Sequence, residues 1–122
     1  MKKILVIDDE KDILFMIQYI LKSQGFKVET DDAGNVFEII KYNSLPDLIL
    51  LDINIGEKNG GEICVELKKN IRTKNIPVIL VSADKSIIEI KNKCGAEDCL
   101  AKPFSSEDLL SKVHSNLIAT GF

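Results

Sequence analysis

The chain has 122 residues, 45% of them hydrophobic, which suits one core-bearing domain over residues 1–122 and leaves no room for a second. Its 16 basic and 19 acidic residues leave a formal charge of -3 with no basic run, which argues against direct nucleic-acid binding. Three cysteines, Cys64, Cys94 and Cys99, are odd in number and lack the paired spacing of a zinc site, so a reducing, cytoplasmic compartment is expected.

The first predicted element is a strand, Ile4 to Ile7, whose unbroken apolar run fits burial on both faces. It stops at Asp8-Asp9-Glu10, too soon for the apolar region of a signal peptide, and no later segment is long enough to span a membrane. Ile13, Leu14, Ile17, Ile20 and Leu21 then recur at helical spacing up to Gly25. A weaker strand, Phe26 to Thr30, precedes a helix carrying Val36, Phe37 and Ile40, which ends before Pro46.

Leu48 to Leu51 form a second fully apolar strand that terminates at Asp52. Ile63 and Leu67 mark a third helix beginning near Gly60, and Val78 to Val81 a further buried strand ending at Ser82. Ser86 and Glu89 have capping-box spacing at the start of a fourth helix that Gly95 closes. A short strand from Asp98 to Ala101 leads into Lys102-Pro103. Ser105 and Asp108 then open a last helix with Leu109, Leu110, Val113 and Leu117 on one face.

Five strand-helix repeats require parallel strands joined by right-handed crossovers, with helices on both faces. The expected fold is a doubly wound (βα)5 three-layer α/β sandwich around a five-stranded parallel sheet. In such a sheet the carboxyl ends of all strands face one side, where ligands bind. Asp8, Asp9, Asp52, Ser82 and Lys102 therefore converge there. Singly each has an ordinary explanation: an acid at a helix start, a strand terminator, a loop hydroxyl, a solvated lysine. Core packing does not require the five together. Three crowded carboxylates repel one another, and a hard divalent cation relieves that repulsion while leaving coordination sites for a phosphate.

With those residues in place, "ILVIDDE", "LILLDINIGEKNGGEIC", "PVILVSAD" and "GAEDCLAKPF" resemble, in order and spacing, the signatures of the response-regulator receiver domain of two-component signalling, the chemotaxis-regulator type included. The resemblance covers essentially the whole chain and implies the flavodoxin-like strand order 2-1-3-4-5. It implies that Asp52 is a phosphoacceptor, taking a phosphoryl group from a phosphohistidine on a sensor histidine kinase or histidine phosphotransfer protein. Mg2+, or Mn2+ in its place, is then held by Asp9, Asp52 and the main-chain carbonyl of Asn54, with Asp8 acting through a water. Asn54, Ser82, Ala83 and Lys102 contact the phosphoryl group, and Ser82 is the switch that alters the surface of the fourth helix, fifth strand and fifth helix. Such a protein is a signalling phosphoacceptor rather than an enzyme in the ordinary sense. Its output is a downstream protein or its own effector domain, and a phosphorylation-dependent dimer is compatible with it.

Some positions depart from or qualify the pattern. Cys99 stands where the family usually has the aromatic switch residue, which removes aromatic coupling, and as a small buried hydrophobe it needs no redox role. Gly56 stands where a proline usually stiffens the loop, so a looser segment is expected. Asn54 and Asp84 are polar at positions that orient the hydrolytic water in the family, which predicts comparatively fast dephosphorylation. His114, on the last helix, is expected at the surface.

Three alternatives compete. A haloacid-dehalogenase-like Mg2+ phosphatase also uses a strand-end aspartate, but needs a second aspartate where this chain has Asn54. A flavin binder would need a Gly- or Ser/Thr-rich phosphate loop after the first strand, which the sequence lacks. A non-phosphorylated docking receiver would not need all five pocket residues.

Overall fold

The structure, a computed structural model, describes residues 1–120. In chain order its elements are β1 (Lys3–Ile7), α1 (Lys11–Ser23), β2 (Lys27–Asp31), α2 (Val36–Tyr42), β3 (Leu48–Asp52), β4 (Asn54–Ile55), β5 (Lys58–Asn59), α3 (Gly60–Lys69), β6 (Val78–Ser82), α4 (Ile87–Cys94), β7 (Asp98–Ala101) and α5 (Ser106–Thr120). Five strands pair in parallel in the order β2-β1-β3-β6-β7. With β4 and β5 set aside, this is the expected 2-1-3-4-5.

Every residue of β1, β3 and β6 is buried, because these central strands are covered by helices on both sides. Alternation along each strand divides the core in two. Leu5, Ile7, Ile49, Leu51, Val78 and Leu80 pack with Val36 and Ile40 of α2, Cys64 and Leu67 of α3, and Ile87 and Cys94 of α4. Ile4, Val6, Leu48, Leu50, Ile79 and Val81 face the other way, against Leu14, Ile17 and Leu21 of α1 and Leu109 and Val113 of α5. The edge strand β2 is partly exposed, in keeping with its polar sequence. No described helix is long and apolar enough to cross a membrane.

Two expectations need correction. The segment after Asp52 is not a plain loop, since β4 and β5 form an antiparallel ribbon in which Asn54 pairs with Asn59 and Ile55 with Lys58. Gly56 turns that ribbon at φ +58°, a left-handed conformation that costs glycine little. The second correction is at α4, where Ser86 occupies the N-cap position but its side chain makes no capping hydrogen bond. Instead the Asp84 carboxylate accepts from the Ser86 amide at 2.8 Å, closing an Asx turn that competes with the capping box. At α5 the expected cap is present, with Ser105 Oγ accepting from the Asp108 amide at 3.1 Å.

Candidate functional site

Parallel register delivers the strand ends to one edge. Ile7 lies beside Leu51, Asp52 beside Val81, and Ser82 beside Ala101, so the residues that follow β1 and β7 meet the ends of β3 and β6. The Lys102 amide donates to the Ser82 carbonyl at 2.9 Å, which continues the sheet by one step and aims the lysine across it. The peptide between Lys102 and Pro103 is cis.

Lys102 is the centre of the cluster. Its Nζ donates to Asp8 Oδ2 at 2.8 Å, to Glu10 Oε1 at 3.2 Å and to Asp52 Oδ2 at 3.3 Å. Asp8 and Asp52 are almost wholly buried, whereas Asp9 and Glu10 are exposed. Backbone amides hold the other carboxylate oxygens: Glu10 N–H donates to Asp8 Oδ1 at 2.9 Å, Asn54 N–H to Asp52 Oδ1 at 3.3 Å and Gly56 N–H to Asp9 Oδ2 at 2.9 Å. Ser82 is buried, and its Oγ accepts from the Asp84 amide at 3.1 Å.

The cluster opens into a cavity of about 330 Å3, lined by Asp9, Glu10, Asp52, Asn54, Ser82, Ala83, Asp84 and Lys102. Asp8 is buried and does not line the cavity. Burial, followed by the charge of Asp8, pushes the Asp52 carboxyl up to about 6, against the opposing pull of Lys102 and the Asn54 amide. For Lys102, burial disfavours the charged form, but the hydrogen bond and charge of Asp8 and the charge of Asp52 outweigh it and hold the ammonium above the ordinary lysine range.

The donor set fits a hard divalent cation. Asp8, Asp9, Glu10 and Asp52 each offer a carboxylate oxygen, all within 4.8 Å of one another, and one lysine is not enough charge to balance four acids. Glu10, the third acid of the run "DDE", joins the cluster although the sequence gives it no role there. Gly60 does more than start a helix. A Cβ there would collide with the Asp52 carbonyl oxygen, so a glycine lets α3 begin hard against the end of β3.

Two residues singled out in the sequence lie away from this cavity, His114 as expected. Cys99, half-buried and in register with Leu80, packs against the core on the α2–α3–α4 side and does not line it. His114 is exposed, with its ring 5.6 Å from that of Phe26.

Residues 4–114 match the response regulator receiver domain family. The chain belongs to that family. As a receiver domain it is similar to the signal receiver domain of a histidine kinase from Syntrophus aciditrophicus, at 27% identity and a TM-score of 0.90 over 99% of this chain and 93% of that one. The chemotaxis protein CheY4 of Vibrio cholerae is 26% identical, with a TM-score of 0.85 over 94% of this chain and 98% of that one. NtrX of Brucella abortus is 28% identical, with a TM-score of 0.86 over 98% of this chain but only 28% of that one. Receiver domains are the phosphoacceptors of two-component systems and bind Mg2+ at an acidic pocket, a role to which this four-carboxylate edge is suited. Membership decides against the phosphatase and flavin-binding alternatives.

Proposed function

We propose that this receiver domain, taken as residues 1–122, accepts a phosphoryl group on Asp52 from the phosphohistidine of a sensor histidine kinase or histidine phosphotransfer protein. The observation that carries the reading is the contact of Asp52 Oδ2 with Lys102 Nζ at 3.3 Å in a cavity that also holds Ser82, Ala83 and Asn54. A carboxylate oxygen of Asp52 attacks phosphorus, the P–N bond breaks, and the imidazole leaves with its electron pair. Lys102, already shared among Asp8, Glu10 and Asp52, turns one of its three donors to the transferred oxygens. Asn54, Ser82 and Ala83 line the cavity that receives them.

Asp9, Asp52 and the Asn54 carbonyl would hold Mg2+, or Mn2+, with Asp8 acting through a water. Bound there, the ion supplies positive charge against the phosphoryl oxygens. No histidine base is needed, because phosphoryl transfer depends chiefly on alignment and charge neutralisation.

The phosphoryl oxygens are strong acceptors that draw the Ser82 hydroxyl away from the Asp84 amide. That exchange favours a second arrangement of α4, β7 and α5, to which a downstream protein, an effector domain or a second copy responds. Cys99 in β7 moves as a packed aliphatic-sized side chain rather than as a swinging ring. A protein with these features works in the cytoplasm, where its phosphodonors are.

Intact-mass measurement after incubation with a small phosphodonor tests this. The native chain should gain one phosphoryl group only with Mg2+, and Asp52→Asn none. Labelling of the variant, or equal labelling without metal, overturns the mechanism.

A further inference from the structure

The ribbon β4–β5 is the part of the site that neither the strand order nor the acidic residues account for. Its turn residue, Gly56, donates its amide to Asp9 Oδ2 at 2.9 Å, across 47 positions of sequence. Asp9 is exposed, so without such a partner its carboxylate would sample several rotamers in water. Nothing lies within 4 Å of where a Gly56 Cβ would stand, so the position is constrained by its backbone angle and its N–H, not by space.

The ribbon that presents this amide is itself anchored at both ends. Gly60 N–H donates to the Ile53 carbonyl at 2.6 Å, and Asn59 Oδ1 accepts from the Glu62 amide at 3.1 Å to cap α3. Midway, Lys58 Nζ donates to Asn35 Oδ1 at 2.9 Å beside α2. The Gly56 amide is thus a fixed donor.

From this we infer that Gly56 is a positioning residue for the cation site: its amide ties down one oxygen of Asp9 and leaves the other free for a divalent ion. The inference rests on the reading of Asp9 as a cation ligand. A proline at this position could not act so, having no N–H and a fixed φ near -65°. Hydrogen-bond partners of ligating carboxylates typically change metal affinity by about 10- to 100-fold when removed. Because Asp9 is exposed, the low end applies.

The test compares Mg2+ dissociation constants, by calorimetry on the unphosphorylated protein, for the native chain, Gly56→Pro and Gly56→Asn. Asparagine keeps the N–H and tolerates a positive φ. Gly56→Pro should weaken Mg2+ about tenfold, while Gly56→Asn stays within roughly twofold of the native chain. Equal affinities in all three proteins overturn the inference, and so does a Gly56→Asn variant that binds Mg2+ as weakly as Gly56→Pro, since it keeps the N–H.

Hydrogen exchange at the Gly56 amide gives a second measurement that does not depend on the proline variant folding. Without metal it should be slow in the native chain and faster in Asp9→Ala, and equal rates overturn the inference. Native protein that binds Mg2+ with this dependence but takes no phosphoryl group overturns the proposed function and leaves the role of Gly56 standing. Labelled protein whose Mg2+ affinity ignores the Gly56 amide does the reverse, and a native chain that binds no Mg2+ overturns both.

Discussion

Asp8 and Lys102, 94 residues apart in sequence, form an ion pair of 2.8 Å in which their side chains are only 2% and 11% exposed. A pair this buried stabilises little on balance, but removing one member leaves the other desolvated and uncompensated. Removing Lys102 would leave two buried carboxylates, since it also pairs with Asp52, besides the exposed Glu10.

Lys102→Met should therefore push the Asp52 carboxyl above its value of about 6 and strengthen Mg2+ binding, because the competing positive charge is gone. Phosphoryl labelling should nevertheless fall by about 100-fold, the usual loss when one electrostatic contact to the transferring group is deleted. NMR titration of the carboxyl groups and timed labelling check the two halves. Labelling at the native rate would show that the lysine has only a structural role.

Asp52 also makes stability depend on pH in a definite direction. Its folded value, about 6, lies above the ordinary 3.8, so between those values the unfolded chain has released the proton while the folded chain still holds it. Metal-free stability should fall as pH rises through this window and level off above about pH 6. Mg2+ should remove that loss by favouring the ionised carboxylate, with its apparent affinity weakening about tenfold per pH unit below 6. Urea unfolding from pH 4 to 7.5, with Mg2+ and with chelator, reads both trends, after the pH response of Asp52→Asn is subtracted.

Gly60→Ala should cost about 3 kcal/mol or more, because the added carbon meets main-chain atoms of Asp52 and Ile53 rather than a side chain that can swing away. Chemical denaturation measures the loss. The shift of Asp52 should also reduce phosphoryl labelling, so a stable, normally labelled variant would contradict the close approach of α3 to β3.

Asn54 and Asp84 both line the cavity beside Asp52, and on the proposed reading each would help orient the water that hydrolyses the acyl phosphate. Replacing both with methionine should slow decay of the phosphorylated protein by about tenfold, the scale of one lost positioning contact of about 1.4 kcal/mol. Decay is followed by intact mass after the phosphodonor is removed, and an unchanged rate would leave these residues as ordinary loop polarity.

Much of the site is legible in the sequence because its residues terminate apolar runs. Leu48 to Leu51 suit a strand buried on both faces, which makes Asp52 a strand end, and the same reasoning places Asp8, Ser82 and Lys102 at the same edge. Glu10 is not legible in this way, because an acid at the N-terminus of a helix has a sufficient local explanation. Its contact with Lys102 depends on how α1 leaves the sheet. Ser86 misled for the opposite reason, since its spacing with Glu89 was right and the nearer Asp84 carboxylate took the amide instead.

Periodicity and residue type encode burial and strand direction, so the layers, the strand order through the family signatures, and the side chains that gather at the edge can all be read from the chain. How "NIGEKNG" is used depends instead on packing between distant segments. The expectation of a looser segment considers Gly56 through φ alone. The fold also turns the segment into a ribbon and brings the Gly56 amide to Asp9, which is not legible in the sequence because a main-chain N–H has no residue-specific signature and its partner is chosen by packing.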